Sequence, residues 1–237
     1  MYRIAYSGGT LGRCLGVSFP FVNFGALTAL RTLGVPHDAS VLDVGSGVGR
    51  FLRGLRALGF NGRLVGIDPY LPDNPSTVDS VSLYRMNIGQ VTGTFDVVTL
   101  LHTLEHVVEQ RETLLHVARL LSAGGISLVT IPVAGGWAWE RYRENWVQLD
   151  PPRHIVLHSE RSLRLLAESS GLKVRDVIWD STSFQFWGSE FVSQSTPIVP
   201  WVSSYLRAAW RIPFDAAKAA KLNLQGRGDQ ATFVLGR

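Results

Sequence analysis

Residues 41 to 49 read Val-Leu-Asp-Val-Gly-Ser-Gly-Val-Gly. Val41, Leu42 and Val44 give the apolar run of a strand covered on both faces, and Gly45, Gly47 and Gly49 tolerate positive φ and close backbone approach to a ligand. From Arg50 to Leu58 the apolar spacing becomes helical, so free N–H groups that favour carboxylate or phosphate follow directly on the glycines. This is a nucleotide-handling strand-loop-helix. A dinucleotide fingerprint beginning at Gly45 would need glycine at position 50, where Arg50 stands, and a nicotinamide-dependent dehydrogenase is therefore disfavoured. Residues 63 to 69, Arg-Leu-Val-Gly-Ile-Asp-Pro, form a second short apolar run ending in Asp68, at the distance expected of a βαβ unit. A carboxylate there can accept both ribose hydroxyls; alternatively it caps a turn with Pro69. Pro69, Tyr70 and Leu71 then offer a surface to cover an adenine ring.

The chain has 237 residues, 46% of them hydrophobic. That is enough for a single α/β domain with appended elements rather than two independent domains. Its one cysteine, Cys14, excludes an intramolecular disulfide. With no signal-peptide apolar region at the start and no run of membrane-spanning length, a reduced cytoplasmic protein is expected. The net charge of +4 comes without a basic cluster interleaved with aromatics, so nucleic acid is not an expected partner. Internal repeats, low-complexity tracts and zinc-type Cys/His spacings are absent from the sequence.

The periodicities predict a nearly regular βα alternation. Within a lead-in over residues 1–40, Asn23 is the expected N-cap of a helix reaching Leu33. Strands are expected over 41–44, 63–68, 81–86, 95–101, 126–131 and 173–179, with residues 71–76 a loop because of Pro72 and Pro75. Helices are expected over 110–121, stopped by Gly124 and Gly125, and over 159–169. Parallel strands joined by helices give a doubly wound sheet that binds ligand at its C-terminal strand ends. Those ends carry the glycines, Asp68, Asn87 and His102. Residues 181–228 form an insertion before a last strand over 230–236. In it Trp201, Tyr205, Ala208, Ala209 and Ile212 share one helical face and Arg207 and Arg211 another, with Lys218 and Lys221 extending the basic side. Intramolecular packing, a second subunit or a peripheral membrane contact through residues 196–222 would cover the apolar face.

The pattern Asp43-x-Gly45-x-Gly47-x-Gly49 resembles the first motif of the class I S-adenosylmethionine-dependent methyltransferases. Residues 95–107, Gly124-Gly125 and Asp150-Pro151-Pro152-Arg153-His154 are similar to small-molecule members such as the ubiquinone-biosynthesis O-methyltransferase and its relatives in glycan and natural-product clusters. The resemblance implies a Rossmann-like sheet of seven strands whose last strand inserts antiparallel. It implies S-adenosylmethionine as cofactor, lined by Gly45, Ser46, Gly47, Gly49 and Leu101, with Asp43 holding the loop and the ligand's amino group. Asp68 and Pro69 would meet the ribose side, and Asn87 and Ile88 the adenine; many members carry an acid where this chain has Asn87, and an amide oxygen can accept the same hydrogen bond. The implied acceptor is a small molecule or glycan, methylated at a hydroxyl. A donor-binding partner protein without catalysis is the alternative.

His102, at the end of the 95–101 strand, is placed where the sulfonium of the donor should lie and is a candidate general base. The run His102-x-x-Glu105-His106 is also the pattern of an inverted zinc-peptidase helix. It begins at a buried strand end, and catalytic zinc would need a further protein ligand, so no metal is expected and Glu105 and His106 are read as orienting the turn; the resemblance to quinone-pathway enzymes, some of them metal-assisted, leaves metal at that pair as the alternative. Pro151-Pro152 is expected to hold Asp150 extended and present Arg153 and His154 over a pocket. His154 is then a second catalytic candidate, or pins the loop through a carbonyl. Trp137, Trp139, Tyr142 and Trp146 precede it on a lid, for stacking on an acceptor or for lid packing.

Overall fold

The structure, a computed structural model, describes residues 24–72, 75–196 and 209–237. Helix α1 (Phe24–Thr32) leads into β1 (Val41–Val44), α2 (Arg50–Ala57), β2 (Leu64–Ile67), β3 (Ser76–Val78), β4 (Val81–Tyr84) and β5 (Phe95–Leu101). Then follow α3 (Gln110–Leu120), β6 (Leu121–Pro132), α4 (Trp137–Tyr142), α5 (Glu160–Ser169), β7 (Lys173–Trp179), α6 (Phe184–Ser193), α7 (Ile212–Leu224) and β8 (Gln230–Gly236). The strands form one sheet in the order β3-β4-β2-β1-β5-β6-β8-β7. Its centre is parallel, and β8 inserts antiparallel between β6 and β7. The expected doubly wound sheet with its reversed last strand is thus present.

Strand parity divides the core. Leu42, Val44, Val98 and Leu100 pack with Leu114 and Val117 of α3 and Leu163 and Ala167 of α5. Val41 and Val97 face the other way, against Ala26, Ala29 and Leu30 of α1 and Leu52 and Leu55 of α2. Both sheet faces are therefore buried, which explains why β1 and β5 read as continuous apolar runs. Asp43 and Thr99 share parity with Val41 and Val97, and so lie on the α1/α2 side.

Three expectations need correction. The sheet has eight strands rather than seven, because Ser76–Val78, which begins on the last residue of the expected loop and was not expected as a strand, pairs with β4. The connection is a two-residue turn with Asp79 and Ser80 at φ 51° and 58°, the backbone a tight hairpin demands. Gly124 and Gly125 do not stop a helix: α3 ends at Leu120 and β6 begins at once. They lie inside β6 where its register against β5 shifts between Phe95 and Val97, an irregularity that glycine permits. Asp150, at φ 38°, is not extended; its carbonyl accepts the N–H groups of Arg153 and His154 at 3.0 and 3.2 Å, which curls the chain into a turn.

Helices α4, α6 and α7 form a cap. Phe186, Ala219 and Leu222 are its small core, with Trp137 and Tyr142 packed against them. Lys218 Nζ sits 3.6 Å from the centre of the Trp137 ring, and Arg211 pairs with Glu190 and, at 3.3 Å, with Asp215. These two cations, expected on a free basic side, are used within the fold. Pro213 stands in the first turn of α7, where its missing N–H costs nothing. Trp210 and Phe214 are exposed. Cys14, Asn23, Trp201, Tyr205, Arg207 and Ala208 lie outside the described residues, and with them most of the expected apolar face. Among the described residues no helix is long and apolar enough to cross a membrane.

One contact joins the two halves of the strand-end surface. Thr103 Oγ1 donates to the Val44 carbonyl at 3.0 Å, and a Cβ on Gly45, at φ 74°, would overlap the Thr103 side chain. Gly45→Ala is therefore expected to destabilise the fold by about 2 kcal/mol, lowering the melting temperature by roughly 4–8 °C in a domain of this size, measurable by thermal denaturation.

Candidate functional site

The glycine loop leaves β1 with Gly45, Gly47 and Gly49 at φ 74°, 50° and 72°. The three are not equivalent. A Cβ at Gly45 would strike Thr103 and one at Gly49 would fall 2.9 Å from Leu83 Cδ2, whereas nothing lies within 4 Å of the corresponding point at Gly47. Gly45 and Gly49 thus serve packing, and Gly47 presents bare backbone to open space. The N–H groups of Gly45 and Ser46 donate to the Ile67 carbonyl at 2.8 and 3.0 Å, folding the loop over the end of β2. There Asp68 accepts the Gly47 N–H at 3.0 Å and the Tyr70 N–H at 2.8 Å. Asp68 thus closes the turn into Pro69, as one reading expected, and its carboxylate also borders the open loop. Leu71 is buried in the core and Tyr70 is almost fully exposed, so that apolar surface is split.

Asn87 is exposed at the start of a 3₁₀ turn over Ile88–Gln90, with its N–H bonded to Gln90 Oε1 at 2.8 Å. Ile88 is half-buried beside it, which leaves the amide side chain beyond the end of β4 and an apolar side chain next to it. Asp43 does not line open space. It is buried and its Oδ1 accepts Thr99 Oγ1 at 2.6 Å across β1 and β5. Burial, opposed by the Thr99 hydrogen bond and reinforced by Asp68, pushes its carboxyl up to about 7.

The other half of the strand-end surface begins at Leu101, half-buried at the end of β5, and His102, at φ 53°. A non-glycine residue held there is strained. Its N–H bonds to the Thr130 carbonyl at 2.9 Å, and its imidazole is 36% exposed with Nδ1 3.3 Å from Glu105 Oε1. Burial lowers the His102 pKa, but Glu105, Asp180 and Asp229 together outweigh it and the net shift is upward. Asp180 and Asp229 went unnoticed in the sequence, although each is an acid adjoining a strand at this edge of the sheet. Asp229 accepts Trp146 Nε1 at 3.0 Å, and burial first of all raises its carboxyl to about 6. Asp180 is likewise raised, chiefly by burial, while accepting the Gly25 N–H at 3.0 Å.

Glu105 and His106 form a 3₁₀ turn over Leu104–His106. Gln110 Nε2 holds it by donating to the Leu104 carbonyl at 2.7 Å, and His158 Nε2 meets Gln110 Oε1 at 2.7 Å. Because this is no helix, His102 and His106 do not share a face; the chain instead brings His106 to His154, ring centroids 4.8 Å apart. His154 does pin its loop, through Nδ1 and the Gln148 carbonyl at 2.6 Å, and burial lowers its pKa. It also lines a cavity of about 400 Å³ with Ala134, Trp139, Leu149, Pro151, Ile155 and Leu157. Of the lid aromatics, Trp137 and Tyr142 are spent on cap packing and Trp146 is buried against Asp229. Trp139 reaches that cavity.

Residues 25–177 match the model of a family described as a methyltransferase domain. Among curated proteins none matches the sequence. Of the solved structures, the complex between the Haloferax volcanii Trm112 methyltransferase activator and a methyltransferase is similar at 20% identity, with a TM-score of 0.60 over 89% of this chain and 87% of that one. A mycolic acid cyclopropane synthase holding S-adenosylhomocysteine follows at 14% identity and a TM-score of 0.56, over 90% and 84% of the two chains. The magnesium protoporphyrin IX methyltransferase of Synechocystis with bound S-adenosylhomocysteine has 18% identity and a TM-score of 0.51, over 66% and 74%. Identities this low speak for the fold. The narrower likeness to quinone and glycan enzymes is carried by the sequence motifs alone.

The raised Asp43 carboxyl has a consequence for stability. A group protonated more readily when folded loses stability as pH rises, here from its unfolded value near 4 to about 7. Asp43→Asn, which keeps an acceptor for Thr99, is expected to be more stable than the parent at about pH 8 by up to roughly 4 kcal/mol. The gain should vanish below about pH 4, and denaturant titrations across that range measure it.

Proposed function

The chain belongs to the methyltransferase-domain family, whose cofactor is S-adenosylmethionine, and from that premise we propose transfer of its methyl group to a hydroxyl of a small-molecule or glycan acceptor. The observation that carries the reading is the contrast within the glycine loop, where Gly47 alone is bare toward open space and Asp68 adjoins it. In this arrangement Gly45, Ser46, Gly47 and Gly49 pass the donor's methionine end with Leu101, Asp68 and Pro69 take the ribose side, and Asn87 and Ile88 the adenine. Asp43 supports the loop from beneath through Thr99 rather than by touching the donor.

The donor is already activated, so alignment supplies most of the acceleration. The O–CH₃ bond forms as the C–S⁺ bond breaks, and the hydroxyl proton passes to a base. His102, exposed at the end of β5, is the base of this scheme. Its upward-shifted pKa is unhelpful in the free protein, but an arriving sulfonium favours the neutral imidazole. His154, tied through Nδ1 and lining the aromatic cavity, belongs to the acceptor side.

Two sets of variants test the reading. Gly47→Val places a side chain where the donor would pass, and Asp68→Ala removes a charged hydrogen-bond acceptor, which corresponds to about 1.5–3 kcal/mol or roughly 10- to 100-fold in S-adenosylhomocysteine affinity. Unchanged affinity in both, by calorimetry, overturns the donor assignment; a titration with NAD on the same samples should give no heat. His102→Ala is expected to lower labelled methyl transfer to a responsive acceptor by about 10²- to 10⁴-fold with donor affinity intact. Normal turnover in that variant leaves catalysis to alignment alone, and donor binding without transfer to any acceptor of a broad panel points to a non-catalytic partner protein.

A further inference from the structure

Beyond the donor site, a second constellation is built from two separate loops. Glu105 is 1% exposed, and among the described residues neither of its carboxylate oxygens has a hydrogen-bond partner; His102 Nδ1 stands 3.3 Å from Oε1. His102 offsets this carboxylate from one side only, and a buried carboxylate remains unfavourable unless further positive charge completes it. His106 and His154 stand beside it, and one ligand atom from each of the three residues lies within 4.8 Å of the others.

Both imidazoles are tied through Nδ1. His106 Nδ1 lies 2.9 Å from the Arg153 carbonyl and His154 Nδ1 2.6 Å from the Gln148 carbonyl. A carbonyl only accepts, so each Nδ1 carries the proton and each Nε2 is left with a lone pair. That is the support metal-ligating histidines receive from their surroundings. The two loops are also fastened across the cluster, since the Ile155 N–H donates to the Glu105 carbonyl at 2.8 Å. The His158–Gln110–Leu104 chain steadies the turn from behind.

We propose that Glu105, His106 and His154 form a binding site for one divalent transition-metal ion of the zinc type. Two imidazole nitrogens and one carboxylate suit that class and leave a coordination position open to water or an acceptor oxygen. Tetrahedral coordination needs ligand atoms about 3.3 Å apart, so the group would have to draw in from the 4.8 Å within which its ligand atoms lie. The third ligand comes from the Asp150–His154 turn, and His102 stands outside the trio. It goes beyond the methyl-transfer reading and does not depend on it.

The test uses the full chain, stripped with a chelator and titrated with Zn²⁺, and with Co²⁺ as an optical probe. One equivalent should bind, with a cobalt d–d spectrum of low coordination number and no thiolate charge-transfer band. His106→Ala, whose side chain is exposed and whose loss should leave packing intact, His154→Ala and Glu105→Gln should each weaken binding by at least ~100-fold. His116→Ala, beside Glu112 at 3.8 Å, and Cys14→Ser should not. S-adenosylhomocysteine affinity, read on the same samples, should persist in His106→Ala, so that failure of the metal site and failure of the donor site are distinguished. Absence of binding tighter than about millimolar, or binding that survives all three ligand substitutions, overturns the proposal.

Discussion

The two halves of the strand-end surface are joined by the contact between Thr103 and the end of β1. Thr103 Oγ1 donates to the Val44 carbonyl, and the absence of a Cβ at Gly45 lets the threonine side chain close on the loop. A glycine at this point therefore serves packing between β1 and the turn after β5. The same turn carries His102, Glu105 and His106, so the loop assigned to the donor and the residues assigned to the acceptor are referred to one another through a hydrogen bond and a steric fit. In-line displacement depends on that kind of relative placement, because misalignment of nucleophile, methyl and leaving group by about 1 Å costs orders of magnitude in rate.

The surface around His102 is paid for in stability. Asp43, Asp180 and Asp229 all have carboxyls raised chiefly by burial, and Glu105 is buried without a hydrogen bond. Buried acids weaken a fold unless a compensating charge or donor reaches them. Thr99, Gln230, Thr232 and Trp146 compensate in part. The sign of what is left over is negative at the C-terminal edge of the sheet, which suits a ligand bearing a sulfonium and an ammonium. Strain and desolvation concentrated at one place are common where binding later relieves them.

Much of the fold was legible because strand parity and helical spacing are local. The β1, β5, β7 and β8 runs and the α5 start at Ser159, whose side chain accepts the Ser162 N–H, all follow from residues close in sequence. Ser76–Val78 escaped because its residues are largely exposed and its pairing depends on a turn with two positive φ values at Asp79 and Ser80, residues less suited to it than glycine or asparagine. The glycine loop and the turn at Asp68 were legible for the same local reason. The acceptor side was less so: H-x-x-E-H was read as a strand end followed by a turn, and only the fold shows that His106 meets His154. Asp229 had a signal that was available but indirect. Once β8 is antiparallel to its neighbours, its first residues lie at the same edge as the last residues of β1 and β5, so an acid just before β8 belongs to the site edge.

That placement also couples the cap to the chemistry. Trp146, between α4 and the Asp150–His154 turn, is buried and donates to Asp229, one of the acids that raises the His102 pKa. Arg227, just before Asp229, reaches Glu140 on α4 at 2.6 Å, and Ser181, at the exit from β7, accepts the Asp229 and Gln230 N–H groups at 2.6 and 2.9 Å. The loop before β8 is thus held from the cap on one side and from the sheet on the other. A displacement of α4 that drew Trp146 away would remove a hydrogen bond that stabilises the Asp229 carboxylate, raise that carboxyl further, and so weaken the negative field at His102. Asp229 is one of three acids that shift the His102 pKa upward, after Glu105 and Asp180, so the seated cap contributes to the negative field at the imidazole proposed as base.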